Sequence, residues 1–268
     1  MFSFTAKPKP KPKIVSVHSF RGGTGKSNIT SNLAATIACQ GARVGIIDTD
    51  IQSPGIHVLF GMDENRIKYT LNDYLWGRCK IEETAYDVSS VLQRQDVQVH
   101  RDSRIYLIPS SIKVGEISRI IREGYSVNRL NEGFRKLIAS LKLDYLFIDT
   151  HPGLNEETLL SISISTVLVI ILRPDRQDFQ GTAVTVDVAR KLAVPKMLLV
   201  LNKVLPEFDL TALHHQVETS LKTQLVGILP LSEDLIRLAS SDVFCLCHTH
   251  HGWTQEVQGI ARQITTER

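Results

Sequence analysis

From Ile14 onward, short apolar runs alternate with helical periodicity. IVSVHSF (14–20) has the length and content of a buried strand. Gly22, Gly23 and Gly25 interrupt it, and Ile29, Leu33, Ala34, Ile37 and Ala38 follow at the spacing of one helix face. Gly41 closes that helix and RVGIID (43–48) is the next strand. RIYLIP (104–109), YLFIDT (145–150), TVLVIIL (166–172), KMLLVLN (196–202) and QLVGILP (224–230) are near-continuous apolar runs. Strands of that kind are covered on both faces, as in a parallel sheet. Val127, Leu130, Phe134, Leu137, Ile138 and Leu141 mark an amphipathic helix between two of them. The stretch 54–98 is less regular: TLNDYLW (70–76) and IEETAYD (81–87) read as short helices, and polar 93–102 as a hairpin tip or an excursion. The pattern predicts one doubly wound α/β domain with a mainly parallel sheet flanked by helices. Ligands are expected at the carboxyl ends of its strands.

Composition sharpens this picture in two places. No apolar run reaches the roughly 18 residues of a membrane span, and four cysteines in 268 residues make no disulfide scaffold, which suits a reducing cytoplasm. The net charge is +3, yet residues 1–13 hold four lysines and no acid. The remainder has 27 basic and 28 acidic residues (31 minus 4, against 28), a net of −1. The basicity therefore belongs to an amino-terminal arm in which Lys7, Lys9, Lys11 and Lys13 alternate with proline. Such a segment is expected to be extended and disordered over 1–13, with the folded domain filling 14–268. Phe2 and Phe4 precede the lysines, so the arm suits a lipid surface or DNA phosphates.

The chemistry is concentrated between the first strand and the first helix. FRGGTGKS (20–27) is a glycine-rich turn whose backbone N–H groups can curl around an anion at a helix amino terminus. Gly22, Gly23, Thr24, Gly25 and Asn28 would line the phosphates, Lys26 would reach the terminal ones, and the Ser27 hydroxyl would serve Mg²⁺. The usual first glycine of a phosphate loop is replaced by Phe20. IIDTDIQSPG (46–55) ends a strand with Asp48 and Asp50 on one side, because side-chain direction has period two. FIDTHPG (147–153) ends another with Asp149.

With GGTGKS, the paired aspartates and FIDTHPG in place, the chain resembles the MinD/ParA family of deviant Walker A P-loop ATPases over Ile14 to about Ile264. Arg21 stands where that family has its signature lysine, which crosses a nucleotide-sandwich dimer. The resemblance implies ATP and Mg²⁺ as cofactors. It implies Lys26 and Arg21 on phosphate, Asp50 orienting the attacking water, and Ser27, Asp48 and Asp149 at the metal. Gly153 would let the backbone meet the γ-phosphate, and His151 is expected to be a loop residue without chemical duty. Asn202 would read the adenine edge and Pro230 shape the base pocket; NKV (202–204) lacks the aspartate of a guanine-reading NKxD. The implied function is a dimerising switch ATPase, slow without an activating protein. It would position a cargo from the cytoplasm, or peripherally at a membrane or nucleoid. The alternatives are a metal-cofactor maturation ATPase and a nucleotide-sensing pseudo-ATPase. A tyrosine autokinase is disfavoured because the last tyrosine is Tyr145. Cys245, Cys247, His248, His250 and His251 are metal-ligand types without a zinc-finger spacing, and are expected to be a loop. The last helix carries Val257, Ile260, Ala261 and Ile264 on one face and no net charge, which suits packing rather than lipid.

Overall fold

The computed structural model describes residues 11–266. The strands are β1 (Lys13–His18), β2 (Arg43–Asp48), β3 (Tyr86–Asp87), β4 (Arg104–Ile108), β5 (Tyr145–Asp149), β6 (Val167–Leu172), β7 (Met197–Val204) and β8 (Leu225–Pro230). They form one sheet in the order β3-β4-β2-β5-β1-β6-β7-β8. Every pairing is parallel except the short β3 against β4. Strand order reverses beside β1, so the loop after β1 opens into the crevice where ligands of doubly wound sheets bind.

The helices are α1 (Lys26–Cys39), α2 (Ile56–Leu59), α3 (Leu71–Leu75), α4 (Val114–Glu123), α5 (Val127–Leu141), α6 (Glu156–Ile164), α7 (Arg176–Lys191), α8 (Leu210–Leu221), α9 (Glu233–Leu238), α10 (Phe244–Cys247) and α11 (Gly252–Thr265). One face of the sheet is covered by α1, α10 and α11, around Phe147, Phe244 and Trp253. The other carries α5 over Leu146 and Ile148, with Leu130, Phe134 and Leu137 fully buried at the predicted spacing. Each such side chain contributes about 1.5–3 kcal/mol by leaving water. Val257, Ile260, Ala261 and Ile264 of α11 are likewise fully buried, so this helix packs on the domain.

Four expectations change. Lys13 does not belong to the arm. It opens β1, its N–H donates to the Asp144 carbonyl at 2.9 Å, and its Nζ reaches the carbonyls of Ile264 and Thr265 at the end of α11. Lys13 is followed by Ile14 instead of proline, so the chain there is free to enter the sheet. The arm's Lys7 and Lys9, with Phe2 and Phe4, lie outside the described residues, and Lys11 is exposed. Second, IEETAYD is a 3-10 turn over Ile81–Thr84 followed by β3. Third, of the two readings of polar 93–102 the structure has the excursion: the segment lies between the antiparallel β3 and β4, and β3 is too short for a regular hairpin. Fourth, α4 had no counterpart in the sequence pattern. Ile120 is its one buried residue and joins the cluster under α5, while Val114 and Ile121 face solvent.

Candidate functional site

The loop from Ser19 to Gly25 turns straight into α1. Gly23 and Gly25 have φ of +75° and +93°, which L side chains rarely adopt. A Cβ on Gly25 would also stand 2.6 Å from Asn202 Nδ2. That amide belongs there, because Asn202 donates to the Thr24 carbonyl at 2.7 Å, and Lys203 Nζ donates to the Gly23 carbonyl at 2.8 Å. The end of β7 thus braces the loop from behind. Lys203 was not singled out from the sequence. Its φ of +60° aims it back at the loop, and the NK dipeptide was the only hint.

In front of the loop, a cavity of about 300 Å³ is lined by Gly22, Gly23, Thr24, Gly25, Lys26, Ser27, Asn28, Asp50, Ser53 and Pro152. The first turn of α1 holds no acid, so its dipole and Lys26 both present positive potential there. Beside it, a second cavity of about 220 Å³ runs from Gly25, Asn28 and Asn202 to Pro230, Leu235, Ile236 and Trp253. Apolar side chains, among them Leu231, Leu235 and Ile236, make up much of its lining, together with Asn202. Trp253, absent from the expected set, sits there buried, and its indole N–H has no partner among the described residues.

The parallel register of β2 and β5 sets Asp48 opposite Asp149. Both are buried. Asp48 accepts the N–H groups of Asp50 and Gly55 at 3.0 and 3.2 Å. Asp149 accepts the Thr30 hydroxyl at 3.2 Å and is hydrogen-bonded by Ser27, while its second oxygen has no partner among the described residues. Burial first, then Asp149 and Asp50, pushes the Asp48 carboxyl well above its ordinary range. Burial also raises Asp149, against the opposing pull of Lys26. Two buried acids, one with an orphaned oxygen beside a serine hydroxyl, are the donor set a hard divalent cation takes. Ser27, Asp48 and Asp149 therefore fit Mg²⁺.

Asp50 is held more firmly than its place in a loop suggests. Its Oδ2 lies 3.8 Å from Lys26 Nζ, and its Oδ1 accepts the Ser53 N–H at 3.2 Å and meets His151 Nδ1 at 2.6 Å. His151, expected only as a loop residue, thus contacts Asp50. Gly153, with φ +85°, donates its N–H to the Ser19 carbonyl at 3.2 Å instead of leaving it open toward a phosphate. Arg21 is absent from the lining of the loop cavity. Its guanidinium sits 3.7 and 3.6 Å from Asp175 and Asp178, and Arg173 shares both acids.

Part of the cysteine–histidine segment is engaged in packing, while Cys247 and His250 are exposed. His248 stacks on Phe244, the N–H of buried Cys245 donates to Asn32, and His251 caps α11 by accepting from Trp253. Among the described residues, no group of three or more His, Cys, Asp or Glu side chains is disposed to hold a metal ion.

Comparison with known proteins gives the family and the fold. A profile of the ParA family, described as the NUBPL iron-transfer P-loop NTPase, matches residues 11–265. An uncharacterized ATP-binding protein of Methanocaldococcus jannaschii is 25% identical over 216 residues, 81% of this chain and 73% of that protein. The septum site-determining protein MinD of Thermotoga maritima is 23% identical over 261 residues, 95% of this chain and 88% of its own. In fold, the chain is similar to the septum site-determining protein MinD of Pyrococcus horikoshii complexed with Mg-ADP. The TM-score is 0.76 at 20% identity, covering 96% of this chain and 97% of that one.

Proposed function

The chain belongs to the ParA family of P-loop NTPases, and on that premise we propose an ATP-driven dimerising switch of the MinD/ParA type. The observation that carries the proposal is the convergence of Lys26, Ser27, Asp48, Asp50 and Asp149 at the ends of β1, β2 and β5, beside a base-sized cavity closed by Asn202 and Pro230. Lys26 and the N–H groups of 22–27 would bind the phosphates, and Asn202 the base. Bound Mg²⁺ would neutralise phosphate charge. Asp50 would orient the attacking water, which makes hydrolysis a matter of positioning and electrostatics more than covalent chemistry.

Closure would bring two copies together over the loops, with Arg21 leaving Asp175 and Asp178 to reach the partner's phosphates. Its planar fork suits two phosphate oxygens at once. In the isolated chain that guanidinium is spent on acids, which supports a slow basal rate that an activating protein raises. The ATP-bound dimer would hold a cargo or surface from the cytoplasm, as a peripheral protein of membrane or nucleoid. The arm carrying Lys7, Lys9 and Lys11 would add an anionic contact. Lys13 would not take part, because it is tied to α11.

The test is ATP-dependent capture from native lysate with Asp50→Ala, which should bind nucleotide, stay closed and retain its partner. Capture that does not depend on ATP would overturn the proposal. The iron-transfer description of the family profile favours a second reading, metal-cofactor maturation. Burial pushes the Cys245 thiol up to about 12 and Cys247 to about 11, and a thiol must deprotonate to bind a metal. Iron–sulfur absorbance in protein purified anaerobically would favour that reading over the switch.

A further inference from the structure

We infer that His151 is a positioning residue for hydrolysis: its Nδ1–H holds the Asp50 carboxylate in the pose that orients water, tying together the loops after β2 and β5. The inference rests on the ATPase reading above. It begins from the register. Asp48 stands opposite Asp149 where β2 and β5 end. Two residues beyond each of these are Asp50 and His151. Each strand has by then opened into a loop, so no backbone ladder holds this pair. What joins them is the 2.6 Å contact between Nδ1 and Oδ1.

The direction of that bond follows from its surroundings. Asp50 Oδ2 faces the Lys26 ammonium and Oδ1 accepts the Ser53 N–H, so the carboxylate is the acceptor and Nδ1 carries the hydrogen. A short bond to a charged acceptor is about twice as strong as a neutral one. The ring is 22% exposed on its side chain and Asp50 11%, so water competes weakly for either group.

Binding of a triphosphate changes the balance among the three donors. Lys26 is the residue the phosphates recruit, and its 3.8 Å approach to Oδ2 is the loosest of the three contacts. Once it turns to phosphate, Asp50 keeps one backbone donor from its own loop and one side-chain donor, His151, from the loop after β5. Without His151 the carboxylate is free to follow Lys26 or swing into the loop cavity it lines. Misplacing a group that orients a nucleophile by about 1 Å costs on the order of a hundredfold in rate.

The experiment uses the full chain and four variants: Lys26→Ala, His151→Ala, His151→Asn and His151→Gln. Phosphate release under Mg-ATP gives kcat and KM, and a fluorescent ATP analogue gives Kd. His151→Ala should lower kcat by about ten- to a hundredfold, with KM and Kd within about twofold, because the lost interaction acts on the water and not on nucleotide binding. His151→Asn places an amide N–H near the position of Nδ1 and should recover kcat to within about threefold. His151→Gln carries the donor one bond too far and should stay slow. Should the alanine variant fail to fold, the Asn–Gln contrast decides alone. Wild-type kcat in His151→Ala, equal rates for Asn and Gln, or a rise in KM at unchanged kcat would overturn the inference. If wild type neither binds nor hydrolyses ATP, the ATPase reading falls and this inference with it. If wild type hydrolyses and Lys26→Ala does not, the ATPase reading stands and His151 is judged by its own variants.

Discussion

His18 shows how a buried residue next to the loop constrains the conditions under which the protein is stable. The Thr150 hydroxyl donates to the Val17 carbonyl, so it can only accept from His18 Nδ1, 2.8 Å away. The Nδ1–H tautomer is thereby fixed, and Nε2 is left a buried acceptor with no partner among the described residues. Burial first, then Lys26 and His151, lowers this imidazole to about 3. A base whose folded pKa is depressed contributes stability above its unfolded value, about 6.5, and that stability is lost as pH falls below it. Melting temperature should therefore drop between pH 6.5 and the lower limit of folding, and His18→Asn, which keeps a donor to Thr150, should flatten the drop; parallel curves for the two proteins would contradict this. Trp253 gives a second residue-scale expectation. Its unpartnered indole lines the base cavity, so ATP binding should change tryptophan emission in Trp76→Phe, where Trp253 is the one tryptophan left. Unchanged emission at saturating nucleotide would remove the base from that cavity.

Among the elements, the loop-to-α1 junction carries the strongest constraint. Gly25 must adopt positive φ and must leave room for Asn202, so Gly25→Ala conflicts twice. Positive φ alone costs an alanine about 1 kcal/mol or more, and the 2.6 Å clash displaces the amide that braces Thr24. Nucleotide affinity should fall at least about tenfold while the far-ultraviolet spectrum stays native; wild-type affinity would show that Asn202 does not shape the loop. Gly181 of α7 is similarly placed. A Cβ there would collide with the Phe20 ring, so Phe20, which replaces the usual first glycine of the loop, is seated in the notch that Gly181 leaves. This pairing accounts for the departure at position 20, and the sequence could not have paired residues so far apart.

At the scale of the whole molecule, much of the fold was legible because seven of the eight strands are apolar and local. The phosphate loop, Asp48, Asp50 and Asp149 were legible because each lies at the end of such a strand. What escaped depends on pairing. His151 gains its partner only from the β2–β5 register, and Lys203 reaches the loop only through a positive φ. Lys13 sits in an alternating Lys/Pro composition that says nothing of the strand it opens. Of the four lysines counted in the arm, Lys13 belongs to β1.

The central claim is that ATP binding at this loop closes two copies of the chain on each other. Light scattering coupled to chromatography tests it most directly, using Asp50→Ala to prevent hydrolysis. The expected result is the monomer mass with ADP and twice that mass with Mg-ATP, reversed by Lys26→Ala. A monomer that binds ATP tightly and keeps its mass would contradict it.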